Sequence, residues 1–183
     1  MASDTTGNVY RLFADLLDYP SPALARQAQQ AAVAVGTTQA GAMLQRFCGL
    51  TEQASPAQME ELYTSTFDVQ AACYPYVGHH LFGDSYKRGM FMAQLNAGYR
   101  EKGFSAGSEL PDHVAVVLRF LATAQDDEFS RALLHDGLIP ALDKMAGTFA
   151  DQSDNPYAGV IRALALVVHG SEDPDNKEGV SNA

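Results

Sequence analysis

The sequence predicts an all-α fold from three observations. Apolar residues recur at helical spacing through most of the chain, and alternating β-type runs are weak. A cap residue followed by proline opens three stretches, at Ser21-Pro22, Ser55-Pro56 and Asn155-Pro156. Glycine closes several of the same stretches, as at Gly36, Gly103 and Gly170. The 183 residues are 46% hydrophobic and 19% charged, a composition that folds and that suits one domain with a sizeable core. We read residues 1–170 as one helical globule of eight to nine helices. Residues 171–183, with 4 acids and 1 base, read as an acidic disordered tail.

Each element follows from local pattern. Tyr10, Phe13, Leu16 and Leu17 form a stripe that stops at Tyr19-Pro20, and Ser21-Pro22 opens the Ala-rich stretch Ala23–Val35. A third helix covers Gln39–Leu50 with Met43, Leu44 and Phe47 inward. The fourth starts at Ser55-Pro56, where Gln58 completes a capping box, and buries Met59, Leu62, Tyr63 and Phe67. From Asp68 to Gly83 the periodicity breaks, and a buried irregular connection with a short helix is expected. Asp84 or Ser85 then caps a helix over Tyr86–Lys102. Its apolar residues cover a wide arc, which predicts a central, largely buried position. Pro111 or Asp112 opens the next helix, through about Gln125, with Val114, Val117, Leu118 and Leu121 inward and Asp112, Arg119 and Thr123 outward. Two further helices, 126–135 and 138–150, are separated by Gly137. The last begins at Asn155-Pro156 and ends at Gly170.

Charge narrows the function classes. Lys and Arg number 12 against 22 Asp and Glu, a net charge of −10, so nucleic acid and anionic membrane surfaces are unsuited as partners. The charge is uneven, about −2 over residues 1–102 and −8 over 103–183. That asymmetry either attracts a basic partner or serves solubility alone. Cys48 and Cys73 make no CxxC and no disulfide framework, the N-terminus lacks a signal-peptide pattern, and the longest apolar run, ALALVV, is too short to span a bilayer. A soluble cytoplasmic protein is expected, without stable membrane insertion.

Enzyme motifs are weak. His79, His80 and His113 are the one metal-ligand candidate set, yet adjacent histidines on a helix point about 100° apart and no HExxH is present. There is no GxSxG, GxGxxG or P-loop, and neither cysteine has a histidine next to it in sequence. No cofactor is expected. Two segments stand out for binding: the irregular stretch Tyr74–Asp84 and Glu109-Leu110-Pro111-Asp112-His113 at a helix start. Asp112 reads either as a simple cap or as an acid beside an apolar wall of Val116, Val117 and Phe120. The second arrangement suits a peptide with basic residues followed by an apolar stretch.

Four pieces in order resemble a known family. YRLFADLLDYP is similar to an opening helix ending in Tyr-Pro, and ELYTSTFD to a Tyr-x-x-x-Phe helix. HHLFGDSYKRGMFMAQLNAGYREKGF resembles a His, Gly-acid and basic segment running into a long helix, and ELPDHVAVVLRFLA a Leu-Pro-Asp-His helix start. Together they resemble the TorD/NarJ-like assembly chaperones of molybdenum enzymes, with ELPDH closer to the nitrate-reductase branch. The resemblance implies a cytoplasmic, non-catalytic chaperone, monomeric or homodimeric. Its partner would be the N-terminal, twin-arginine-like peptide of an apo catalytic subunit, held during molybdenum cofactor insertion. Carried over, the family's surface falls on Asp112 and His113 and on His80, Gly83 and Asp84. Lys87-Arg88 reads as a surface or turn-bracing pair.

The expected mechanism is a two-part grip. Asp112 meets basic residues, while Leu81, Phe82, Leu110, Pro111, Val116 and Phe120 offer apolar contact. One charge-assisted hydrogen bond contributes roughly 1.5–3 kcal/mol, whereas micromolar affinity needs about 8 kcal/mol, so apolar burial must supply most of it.

Overall fold

A computed structural model describes residues 2–68, 70–149 and 154–170, with backbone alone for residues 2–4. The expected tail, 171–183, lies outside the described residues. Ten α-helices and one π-helical segment follow in order: α1 (Ala2–Leu16), α2 (Leu24–Val35), α3 (Gln39–Gln53), α4 (Pro56–Phe67), α5 (Val77–Phe82) and α6 (Tyr86–Glu101). After these come α7 (Val114–Leu121), α8 (Glu128–Ala132), the π segment (Leu133–Leu138), α9 (Ile139–Thr148) and α10 (Pro156–Gly170). No strand forms among them; one isolated antiparallel bridge joins Tyr76 to His113.

The hydrophobic stripes do what their spacing requires. Val9, Tyr10, Phe13, Ala14, Leu16 and Leu17 are buried between α2 and α7, and α3 lies between α2 and α10. An aromatic cluster fastens α3, α4 and α10, with Tyr157 within 4.9–5.9 Å of Phe67, Phe47 and Tyr63. The Tyr157 hydroxyl is buried there with no hydrogen-bond partner. A second cluster joins Tyr99, Phe104, Phe120 and Phe129 where α6, α7 and α8 meet.

Caps set most of the boundaries. The Ser55 hydroxyl accepts from Gln58 N–H at 3.3 Å while the Gln58 side chain accepts from Ser55 N–H at 2.8 Å, the expected capping box. Thr38 starts α3 by accepting from Gly41 N–H at 3.0 Å, and Asn155 Oδ1 accepts from Tyr157 N–H at 2.9 Å to start α10. At Ser21-Pro22 the helix begins later than expected. Ser21 closes a turn, accepting from Ala23 N–H on its hydroxyl and from Leu24 N–H on its carbonyl, and α2 starts beyond it.

Three expectations are corrected. First, 126–135 and 138–150 are not separate helices: α8, the π segment and α9 run on without a break, and Gly137 sits inside the π turn. The physical cause is Pro140, whose ring excludes a normal α-turn against the carbonyl four residues earlier and which supplies no N–H. The helix widens instead, with Ile139 N–H donating to the Leu134 carbonyl five residues back. Second, α6 is peripheral; of its sixteen residues only Leu95 and Tyr99 are buried. Third, α7 starts at Val114 and ends at Leu121, and Asp112 does not face outward but is fully buried.

Candidate functional site

The peripheral placement of α6 leaves an open, mainly apolar groove beside it. Between α5, α6 and the α8–π run lies a groove of about 520 Å³. Leu81 and Phe82 line it from α5, Phe91, Gln94, Leu95, Ala97, Gly98 and Glu101 from α6, and Phe129, Ala132, Leu133, Asp136 and Gly137 from the far wall. Apolar atoms dominate the surface, and Glu101 and Asp136 put carboxylates on opposite walls. The wide apolar arc of α6 is thereby explained: one side packs on the core and another faces this open groove.

What holds α5 against α6 is an ion pair beneath it. Arg88 Nε lies 2.9 Å from Asp112 Oδ2 and Nη2 lies 3.4 Å from Oδ1, a bidentate contact in which the Asp112 carboxylate is wholly buried. The guanidinium stacks over the Tyr76 ring at 5.0 Å and approaches Asp84 at 3.8 Å. Hydrogen bonding to Asp112 holds the Arg88 pKa above its ordinary value. The backbone completes the joint, because Val77 N–H donates to the Asp112 carbonyl and Val114 N–H to the Pro75 carbonyl, both at 2.8 Å. Gly78 is required here: a Cβ on it would fall 2.7 Å from Asp112 Oδ2 and 3.1 Å from Arg88 Cγ. At the other end of α5, Gly83 turns the chain at φ +62, a conformation other residues rarely adopt.

The structure therefore divides the residues singled out in the sequence. Leu81 and Phe82 face the groove, and His80, Gly83 and Asp84 belong to the same helix and its closing turn. Leu110 is 42% exposed on the loop before α7. Asp112, His113, Val116 and Phe120, by contrast, are buried and line no part of the groove. The expected cleft at the start of α7 is closed, for two reasons. Arg88 reaches the carboxylate first, and His113 is consumed as the α7 N-cap, its Nδ1 accepting from Ala115 N–H at 3.2 Å. The pair Lys87-Arg88, read as a surface or turn-bracing feature, divides between the two: Lys87 is exposed, and Arg88 braces through Asp84 and Asp112.

The histidines work separately. His79 Nδ1 pairs with Asp84 at 3.3 Å, His80 Nε2 donates to the Tyr74 carbonyl at 2.7 Å, and His113 caps α7. Among the described residues no three His, Cys, Asp or Glu are grouped to hold a metal ion. Folding does bring a cysteine to a histidine, which local sequence did not show: Cys73 Sγ lies 3.9 Å from His80 Nε2. That nitrogen already carries its proton toward Tyr74, burial pushes the thiol up to about 11, and burial also lowers the His80 pKa. The pair thus has neither the thiolate nor the base that nucleophilic chemistry needs. Sequence reasoning found only Leu81 and Phe82 of the groove and missed the whole of its α6 and α8–π walls, Phe91, Gly98, Glu101, Phe129 and Asp136 among them. Their signal was the wide apolar arc of the α6 segment, together with a proline three residues after Gly137.

Comparison with known proteins supplies the family and the fold. The chain is 28% identical over 167 residues to the Escherichia coli (strain K12) nitrate reductase molybdenum cofactor assembly chaperone NarJ, covering 87% of this chain and 69% of that protein. It is 25% identical over 150 residues to the Bacillus subtilis (strain 168) protein named "Probable nitrate reductase molybdenum cofactor assembly chaperone NarJ", covering 81% and 80%. The fold matches the crystal structure of an Archaeoglobus fulgidus chain described as a redox enzyme maturation protein, with a TM-score of 0.62 at 23% identity over 90% of this chain and 93% of that one. No helix among the described residues is long and apolar enough to cross a membrane. The profile of the family described as nitrate reductase delta subunit matches residues 30–163, most of the molecule, and the chain belongs to that family.

Proposed function

We propose that this protein is a non-catalytic assembly chaperone for the catalytic subunit of a molybdenum-containing redox enzyme. It acts in the cytoplasm, holding an apolar, helical N-terminal segment of the apo subunit until its cofactor is in place. The observation that carries this reading is the open apolar groove between α5, α6 and the π segment, with carboxylates on both walls, in a chain of the nitrate reductase delta subunit family. Each apolar side chain fully buried from the client contributes roughly 1.5–3 kcal/mol, so micromolar binding, which also has to offset the freedom lost on association, needs an extended apolar face of the client rather than one or two residues. Glu101, Asp136 and the acidic half of the chain favour clients with basic residues beside that apolar face, including a twin-arginine pair. Asp112 takes no direct part; it fixes α5, and so Leu81 and Phe82, through Arg88.

Affinity capture from the native cell tests the proposal. The tagged protein should retain a molybdoenzyme large subunit, and Phe82→Glu, which places a charge on a 37% exposed groove residue without disturbing the core, should release it. Undiminished capture by a folded Phe82→Glu protein would move the binding surface elsewhere.

A further inference from the structure

Resting on the groove as the client site, we infer that Gly98 and Phe129 together set its depth, and with it the size of the apolar side chain the client can insert. Both residues line the groove, one from α6 and one from α8. The Phe129 ring is fixed along its inner side by edge contacts to Phe120 at 5.5 Å and Tyr99 at 6.4 Å, both buried. Its tip lies over bare α6 backbone. A Cβ on Gly98 would come within 2.2 Å of Phe129 Cζ and within 2.6 Å of both Cε atoms. The ring occupies this seat only because residue 98 has no side chain.

The consequence is directional. A methyl at position 98 collides with the far end of a side chain, and that end can move. Phe120 and Tyr99 close the inward path, so the ring is displaced toward the groove, the side without packed neighbours. A displaced ring makes the groove shallower, whereas removing the ring makes it deeper. Gly98 is thus a positioning residue and Phe129 the floor against which a leucine- or phenylalanine-sized client side chain rests.

The test uses the full chain with Gly98→Ala, Phe129→Ala and the double substitution, and two reporters. The first is 8-anilinonaphthalene-1-sulfonate, which reads apolar hollows without any client. The second is a fluorescein-labelled peptide copying the N-terminal segment of the captured catalytic subunit, made with Ala, Leu or Trp at its main apolar position. Gly98→Ala should reduce dye fluorescence and weaken the Leu and Trp peptides by about tenfold or more, the effect of a methylene-scale misfit in an apolar pocket. Phe129→Ala should raise dye fluorescence and shift preference from Leu toward Trp. The double substitution should recover the behaviour of Phe129→Ala. If Gly98→Ala does not fold, recovery of folded protein in the double variant supports the collision, and its absence overturns it. Unchanged dye and peptide binding in Gly98→Ala overturns the inference. A wild-type protein that shows the dye pattern but binds no peptide leaves the depth assignment standing and overturns the proposed function instead.

Discussion

Breaking the Arg88–Asp112 pair should destabilise the whole molecule rather than one binding contact. Asp112 is wholly buried and Arg88 is 16% exposed, so the pair is desolvated on one side and partly wet on the other. Removing one member of a fully buried pair costs about 3–5 kcal/mol, and access to water and to Asp84 lowers this to about 2–3 kcal/mol for Asp112→Asn. For a domain of this size each kcal/mol moves Tm by about 2–4 °C, giving a fall of about 4–12 °C. Arg88→Met should cost at least as much, because it leaves a carboxylate with no cation inside the protein. The double variant should be less destabilised than the sum by about 1–2 kcal/mol, since neither group is then stranded. Urea denaturation of the wild type and the three variants measures this directly. Additivity to within about 0.5 kcal/mol would refute the claim that these two groups stabilise one another. The salt dependence of client binding should stay unchanged in Asp112→Asn, because the carboxylate is not on the groove.

Two further substitutions follow from buried polar groups. Burial lowers the His113 pKa below 6.5, with Arg119 adding to the fall while Glu109, Asp18 and Asp112 oppose it. The folded state therefore resists protonation, and the stability His113 confers is complete above pH 6.5 and is lost as pH falls toward the folded pKa. His80 shifts in the same direction. Between pH 7 and 5 stability should drop with a slope of up to about 1.4 kcal/mol per pH unit for each histidine. His113→Asn keeps a cap acceptor and should flatten the Tm-versus-pH curve by about half; an unchanged curve would assign the acid sensitivity elsewhere. Tyr157→Phe removes the buried hydroxyl without a partner and should raise stability by about 1 kcal/mol, read by urea titration. A loss of 1 kcal/mol instead would show that the hydroxyl is bonded.

Local rules were sufficient where a boundary is decided by neighbours in the chain. The Ser55–Gln58 box, the Asn155-Pro156 start and the stripes through Phe13, Phe47 and Tyr63 depend on contacts two to four residues apart, and these follow from residue type and spacing. Asp112 shows where that stops. As an acid beside a helix start it satisfies the rule for a cap, and nothing nearby in the chain reveals that Arg88, 24 residues earlier, arrives with a better offer of two hydrogen bonds. Once the carboxylate is taken, the capping task passes to His113, and the helix start moves two residues on.

Most of the groove was missed for a related reason. An apolar arc on a helix states only that water is unwelcome there; it does not say whether this protein or another supplies the cover. For α7, whose first five residues are all buried, the cover is internal. For α6 it is only partly so: Leu95 is covered within the chain, whereas Phe91 borders the open groove and Tyr86 and Met90 are 82% and 48% exposed. Periodicity alone reads α6 as the more buried of the two, the reverse of what the fold shows. The difference comes from Pro140, which widens the opposite wall into a π turn, and from the Arg88 brace, which holds α5 at the groove edge rather than across it. Under the proposed function, the client supplies the cover that this chain leaves out at the groove.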